Sequence, residues 1–294
     1  MKNLSFIIIL LVFIPYIGYS ANYIGTFDDI SSSARAAGMG NAFIGLSDDP
    51  GGVYYNPAGI SQIKNPQLAL MYKDLYSLGL ISCMVITYVQ PIGKSSCIGI
   101  SWRRLGTSSD EVYFMKSYSE NTYRFTYAAE ILPLFYIGGN FKFLIIDYEV
   151  KATSVAYDVG VLLKTFEKHL NIGVLLKDIN SPKVRWQHKE KEEAYEDTVP
   201  MNLIIGGTIR PNNYISISMD YRNLLADNHI THIGIEGWLL NRILSPKAGV
   251  ILRNEKMDLS CGMGIKYKYL KFDYAFEYHN ELNYTHAFGL SINF

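Results

Sequence analysis

The chain has 294 residues, and 27 Lys and Arg balance 27 Asp and Glu, so it carries no net charge. Neutrality removes the electrostatic reason to bind nucleic acid. Three cysteines cannot all pair, so there is no disulfide framework to read, while 14% aromatic residues, with 23 Tyr, exceed what an ordinary core needs.

In chain order the first feature is residues 1–20. Lys2 gives a positive start, Leu4 to Ile14 form an apolar run, and Gly18 and Ser20 are small residues of the kind that precede a cleavage point. This predicts a secretory signal peptide, with the mature chain beginning at Ala21. A membrane anchor would need roughly twenty apolar residues, and Pro15 interrupts this run.

Residues 21–66 are rich in Gly, Ser, Ala and Asp and predict compact structure outside any sheet. Ser31 to Ala37 can start a short helix, Gly38 and Gly40 can stop it, and Asn56 with Pro57 forms a helix cap and its first residue. Asp48 and Asp49 read as a turn before Pro50 rather than a metal pair, because no further carboxylate follows at calcium-loop spacing.

From residue 67 onward the pattern changes to period two. In the last eleven residues Tyr284, His286, Phe288, Leu290, Ile292 and Phe294 alternate with Thr285, Ala287, Gly289, Ser291 and Asn293. Similar alternation predicts about fourteen strands, at 67–74, 80–90, 97–105, 122–130, 135–146, 154–164, 169–177, 200–210, 214–223, 230–239, 246–254, 257–267, 270–278 and 284–294. A soluble sandwich alternates too. A secreted chain with many such strands and no spanning helix enters a membrane as a closed barrel, which satisfies every backbone group in lipid. The expected fold is therefore all-β, a transmembrane antiparallel barrel of residues 67–294.

The connections support an even strand count. The longest, at 106–121 and 178–199, fall at the end opposite Phe294, whereas 166–168, 211–213 and 268–269 fall beside it. The run Lys189 to Glu193 reads as a solvated loop exposed outside the cell, with both termini periplasmic. By alternation Cys83 shares an apolar face with Val85 and Val89, Cys97 a polar face with Ser101 and Arg103, and Cys261 an apolar face with Met263. All three read as isolated thiols.

The stretch Ala34-Arg35-Ala36-Ala37-Gly38-Met39-Gly40-Asn41-Ala42-Phe43, then Asp48-Asp49, then Val53 to Ile60 with Asn56-Pro57-Ala58-Gly59, resembles the amino-terminal signature of the PorV/PorQ family and of the wider FadL-like superfamily of long-chain fatty-acid transporters. The resemblance implies a fourteen-stranded barrel with the amino-terminal segment folded inside as a plug. It further implies passage of hydrophobic small molecules or, in PorV-like members, a part in type IX protein secretion. Apart from the stretches at 106–121 and 178–199 the outer loops are short, which departs from the secretion member. The candidate binding set is Arg35, Gly38, Gly40, Asp48, Asp49, Asn56, Pro57, Ala58 and Gly59, with Phe288, Leu290, Ile292 and Phe294 as the assembly signal read by the barrel-assembly machinery. Outer-membrane lipid is the expected surrounding, and a hydrophobic substrate or secretion-system proteins are the expected partners.

Within the segment, small residues permit close backbone packing, and Arg35 or the Asp48-Asp49 pair is expected to meet inward charges such as Asp220, Glu236, Lys271 and Asp273. No enzyme, cofactor or metal is expected. There is no Gly-x-Ser-x-Gly elbow, Gly38-x-Gly40 ends in Phe43 where a dinucleotide loop needs Gly, and His229 and His232 fall on opposite faces of a strand.

Overall fold

The computed structural model describes residues 30–107, 118–147, 151–165, 169–187, 194–224, 229–253, 256–280 and 282–294. The expected signal peptide and the run Lys189 to Glu193 lie outside them. Sixteen strands follow one another: β1 (Gln67–Leu75), β2 (Ile81–Ile92), β3 (Ser96–Thr107), β4 (Ser119–Leu132), β5 (Phe135–Asp147), β6 (Lys151–Lys164), β7 (Leu170–Lys177), β8 (Lys183–Gln187), β9 (Ala194–Thr198), β10 (Asn202–Asn212), β11 (Ile215–Leu224), β12 (His229–Gly237), β13 (Leu244–Arg253), β14 (Lys256–Tyr267), β15 (Leu270–Tyr278) and β16 (Thr285–Asn293).

Fourteen of these close into one antiparallel barrel, with β1 against β16 at the seam and β7 against β10 across the inserted β8–β9 hairpin. Gln67 pairs with Asn293 at the seam, and Phe294 N–H donates to the Pro66 carbonyl at 2.9 Å. Phe294 therefore marks the lower end of the barrel and the hairpin its upper end.

Alternation sets the two faces of the wall. Ile100, Phe125, Phe141, Tyr157, Met219 and Leu259 point outward and are exposed, an apolar surface stable only against lipid. Inward positions carry buried charge, including Arg103, Arg124, Lys142, Asp158, Asp220 and Glu236. Strand β2 departs from this pattern. Cys83, Val85 and Val89 share an apolar face as expected, but that face is the inner one and packs with Val53, Tyr54 and Ile60 in one cluster. Cys97 is also buried inside, and Cys261 is exposed outside.

The stretch expected to be a plain loop at 178–199 contains the hairpin β8–β9. Its pattern is too short to stand out beside the charge run. Val184 and Val199 nevertheless bury against Leu144, Ile146, Ala152 and Ala156 on the inner faces of β5 and β6, and the hairpin thereby covers part of the upper mouth.

Residues 30–66 lie within the barrel, since they touch its wall on nearly every side. Helix α1 (Ala34–Ala37) contacts β14, β15 and β16, and the 3-10 turn η1 (Pro57–Gln62) contacts β3 to β6 across the lumen. Ser33 caps α1 by accepting from Ala36 N–H, and Gly38 follows as its C-cap. A second helix, α2 (Gly52–Tyr55), not anticipated, leads into Asn56, whose side chain accepts from Ala58 N–H and so caps η1, with Pro57 next.

What admits this segment is a set of glycines facing one another across the wall: Gly138 with Gly160, Gly173 with Gly206, and Gly234 with Gly249. A Cβ on Gly138 would sit 2.5 Å from the Pro57 carbonyl carbon, and one on Gly173 would sit 2.5 Å from the Ile44 carbonyl oxygen. At the third pair the obstructing atoms belong to Met39 and Gly40. Backbone lies directly on wall.

Neighbouring glycines provide an internal control. A Cβ on Gly139 would meet only the Asp158 carbonyl oxygen, at 3.4 Å. Gly138→Val should displace the inner segment and raise its cleavage by added protease, while Gly139→Val leaves it protected; equal protection in both would refute the cradle. Deleting Phe294 should lower the yield of heat-modifiable, assembled barrel, and an unchanged yield counts against its role as an assembly signal. An epitope inserted at Lys191, between two strands at the upper end, should be detected on intact cells; detection only after the membrane is broken reverses the orientation.

Candidate functional site

Arg35 is the centre of the lower half of the lumen. Its Nη1 donates to Asp48 at 2.7 Å and to Asp49 at 2.9 Å, and its Nη2 donates to Glu236 on β12 at 2.6 Å. Arg210 on β10 holds the other Asp48 oxygen at 2.7 Å. Behind Glu236, Lys247 lies at 3.7 Å and bonds Asp273 at 2.7 Å, and Lys271 reaches Asp273 at 3.2 Å. Four cations meet four carboxylates, so the cluster closes on itself and fixes the segment to the wall.

Burial opposes the charge on Arg35, yet Asp48, Glu236 and Asp49 outweigh it and raise the guanidinium above its ordinary range. Burial would likewise push Asp48 up, but Arg35 and Arg210 hold it below the usual carboxylate value. Asp49 also accepts from Gly51 N–H at 2.8 Å, which is the turn expected before Pro50.

Elsewhere the segment is held to the wall through backbone groups. Asp220 accepts from the N–H groups of Phe43 and Ile44 at 2.6 and 2.8 Å, rather than meeting Arg35. Asn56, fully buried, donates to the carbonyls of Ile44 and Val161 at 3.1 and 3.0 Å. His232 donates from Nδ1 to the Gly40 carbonyl at 2.7 Å, while His229 faces outward and stacks on Tyr221.

The top of the segment is the floor of two neighbouring cavities. Tyr54 accepts from Ser101 at 2.8 Å under the Arg124 guanidinium, which sits 4.0 Å above the ring, and Tyr55 donates to Asn41 at 2.7 Å. Burial raises both phenols, which stay protonated. Above them is a small pocket of about 70 Å³, and above that a cavity of about 670 Å³ bordered by Leu75, Tyr76, Leu105, Tyr118 and Leu282. Ile30 and Arg253 line both and mark the neck, the place where they stand between the two. Nearby, Ser31 donates to Glu277 at 3.0 Å, and Lys73 bonds both of them.

The sequence-derived set is thus brought together as an anchor. Gly38, Gly40, Asp48, Asn56, Pro57, Ala58 and Gly59 border neither cavity, and Arg35 and Asp49 border only a gap of about 30 Å³ near the seam. Of the residues that face the open space, Arg253 and Tyr118 carried no motif, and Tyr54 lies within the signature but outside the candidate set drawn from it. The paired wall glycines did carry a signal, since Gly in a strand interior marks a close approach of backbone.

No protein-family model and no curated protein matches the chain. Solved structures do match in fold. The Pseudomonas putida toluene transporter TodX aligns with TM-score 0.69 at 11% identity, covering 92% of this chain and 100% of its own. The CymD monoaromatic hydrocarbon channel aligns with TM-score 0.67 at 11% identity, over 92% and 99%. A Pseudomonas aeruginosa FadL homologue aligns with TM-score 0.61 at 13% identity, over 87% and 97%. At such identities the likeness establishes a shared barrel fold.

Three outcomes test the anchor. Arg35→Gln removes the hydrogen-bonded partner of Glu236 and leaves it only Lys247 at 3.7 Å; breaking a buried pair costs up to about 3–5 kcal/mol, and the segment should become protease-sensitive in an intact barrel. Because the Asp48 carboxyl is depressed, its contribution is complete above its unfolded value of about pH 4 and is lost as pH falls through its lower folded value. Protection should therefore persist from neutrality to about pH 4 and fail only in stronger acid; loss near pH 6 would contradict this. Asn56→Ala should destabilise by roughly 1–3 kcal/mol for each backbone group it strands, without altering ligand binding in the cavities above.

Proposed function

We propose that the protein is an outer-membrane channel that takes hydrophobic small molecules from the cell exterior, with its upper end outside and its lower end in the periplasm. The observation that carries this reading is the cavity of about 670 Å³ above the inner segment, within the size range of small-molecule sites and walled in good part by Leu75, Leu105, Leu282 and Tyr side chains. The fold shared with hydrocarbon channels and the apolar outer wall agree with it. A secretory signal at residues 1–20 supplies the route to that membrane. The role is one of binding and passage, without catalysis.

A second reading, a PorV/PorQ-like interaction component of type IX secretion, draws on the amino-terminal signature and on the ordered β8–β9 hairpin, which presents Lys183, Arg185 and Glu196 at the upper rim. It predicts a co-purifying protein rather than a bound small molecule.

Filling the neck separates the two. Ile30→Trp should weaken binding of a hydrophobic fluorescent probe by roughly tenfold, about 1.4 kcal/mol of lost contact, in barrel that still shows heat-modifiable mobility. Removal of residues 31–61 should leave an assembled barrel with higher permeability in liposome swelling, because strand pairing closes without them. A wild-type barrel that binds no hydrophobic probe, or a deletion with unchanged permeability, favours the secretion reading.

A further inference from the structure

We infer that the lower rim of strands β12 to β14, with a furrow above it on the lipid-facing wall, binds an anionic phospholipid of the periplasmic leaflet. The site does not depend on what the channel carries. It requires only that the lower end face the periplasm, which the epitope at Lys191 tests separately.

The furrow is the first argument. On the outer wall Ile235, Ala248, Cys261 and Phe276 stand side by side on β12, β13, β14 and β15. Two small side chains between two large ones leave an apolar depression of about 510 Å³, bordered also by Ile217 and Tyr278. Below it on β12, Gly237 adds no side chain, and a Cβ there would meet only the Pro246 ring, at 3.8 Å. Nothing large on β12 therefore separates the depression from the rim.

Its height suits one leaflet. Ala248 and Val250, both at the furrow, lie four and six residues above Leu244 on β13, about 13 and 20 Å along the strand. With the tilt of about 40° usual in such barrels this is about 10–15 Å of height, and half a hydrocarbon core is about 15 Å.

Charge at the lower rim is the second argument. The turns joining β10 to β11, β12 to β13 and β14 to β15 lie side by side, since Trp238 N–H donates to the Tyr214 carbonyl at 2.7 Å and Lys266 N–H to the Ile243 carbonyl at 2.8 Å. None of residues 211–214, 238–243 and 266–269 is acidic. Arg242, Lys266 and Lys268 are exposed there and make no ion pair among the described residues. Arg242 donates to the Asn213 carbonyl at 2.7 Å, and Lys268 lies 5.4 Å from the centre of the Tyr267 ring. The neighbouring Arg210 and Lys271 are already held by Asp48 and Asp273.

The third argument is the shape of the β12–β13 turn. Leu240, Asn241 and Arg242 have φ of 49°, 55° and 67°, three successive left-handed residues of which none is glycine. Leu and Arg adopt that conformation only where surrounding contacts impose it. Here the Ile243 and Leu244 N–H groups both donate to the Leu239 carbonyl, at 3.1 and 3.2 Å. Leu239, Leu240 and Ile243 are thereby kept exposed beside Arg242, so that apolar and cationic groups meet as they do where an acyl chain joins its phosphate. A soluble acidic partner would match the cations but leave the furrow unfilled. A phospholipid matches both.

The experiment compares spin-labelled phosphatidylglycerol and phosphatidylcholine on the intact barrel in neutral vesicles, reading the immobilised fraction by electron spin resonance. Phosphatidylglycerol should associate roughly fivefold more strongly, the scale of one basic residue at an anionic surface. Added salt should reduce that preference. Arg242→Gln combined with Lys268→Gln should bring phosphatidylglycerol to the level of phosphatidylcholine. Ala248→Trp, which fills the furrow and leaves every cation in place, should lower the preference as well. Equal association of the two lipids with the wild type, or a preference unchanged in either variant, overturns the site while leaving the channel reading untouched. Loss of the preference on adding a soluble polyglutamate peptide marks a protein-docking surface and overturns the lipid. Should the double variant fail to assemble, the wild-type preference and its response to Ala248→Trp decide.

Discussion

Everything inside this barrel depends on a steric allowance made by three pairs of glycines on facing strands. Gly138 with Gly160, Gly173 with Gly206, and Gly234 with Gly249 remove side chains where the inner segment presses on the wall. A strand interior ordinarily disfavours Gly, which contributes no packing and loses more freedom than other residues on folding. Here the missing side chains allow backbone polar groups of the segment to reach partners that rise from the wall around them. Asp220 accepts the N–H groups of Phe43 and Ile44, and in the other direction the Asn56 side chain donates to the Val161 backbone carbonyl of the wall. The glycines set the distance, and the hydrogen bonds then fix the register.

The ionic cluster around Arg35 works at longer range and with less tolerance for loss. Its charges are buried or nearly so, and each is met by another, so the cluster fixes orientation while contributing little net attraction of its own. The same interior supplies very different surroundings to its cations. Arg35 touches three carboxylates and is neutralised, whereas Arg253, at the other end of the segment, has none among the described residues. The lumen is therefore divided along its axis, closed by a balanced ion cluster below and opening into cavities above.

The strands were legible because lipid on one side and packed polar groups on the other impose period two on nearly every one of them. Thr285 and Ala287 turn inward while Phe288 and Leu290 turn outward, as the alternation alone requires. Strand β2 was the exception, since the inner segment makes its inner face apolar as well and removes the contrast between faces. The short helix within Ser31 to Ala37 and the cap at Asn56 were legible because their hydrogen bonds are local, and the Arg35 to Glu236 pair was among those anticipated. The cavities were not, because they are bounded by residues from distant strands with no fixed spacing between them. Hairpin β8–β9 was missed for a related reason, its strands being held by contacts to β5 and β6 rather than by a pattern of their own.

The place where the inner segment joins the wall has a consequence for how the molecule can be put together. The segment runs into β1 at Gln67, and β1 is also one side of the seam, paired along its length with β16. The two ends of the barrel sequence thus meet beside the tether, and Phe294 bonds the residue just before it. Forming that last ladder both completes the ring and shuts in whatever hangs from β1. Biogenesis is in this sense an act of enclosure: the seam is a door, and the chain carries its own contents through the opening on the strand that closes it.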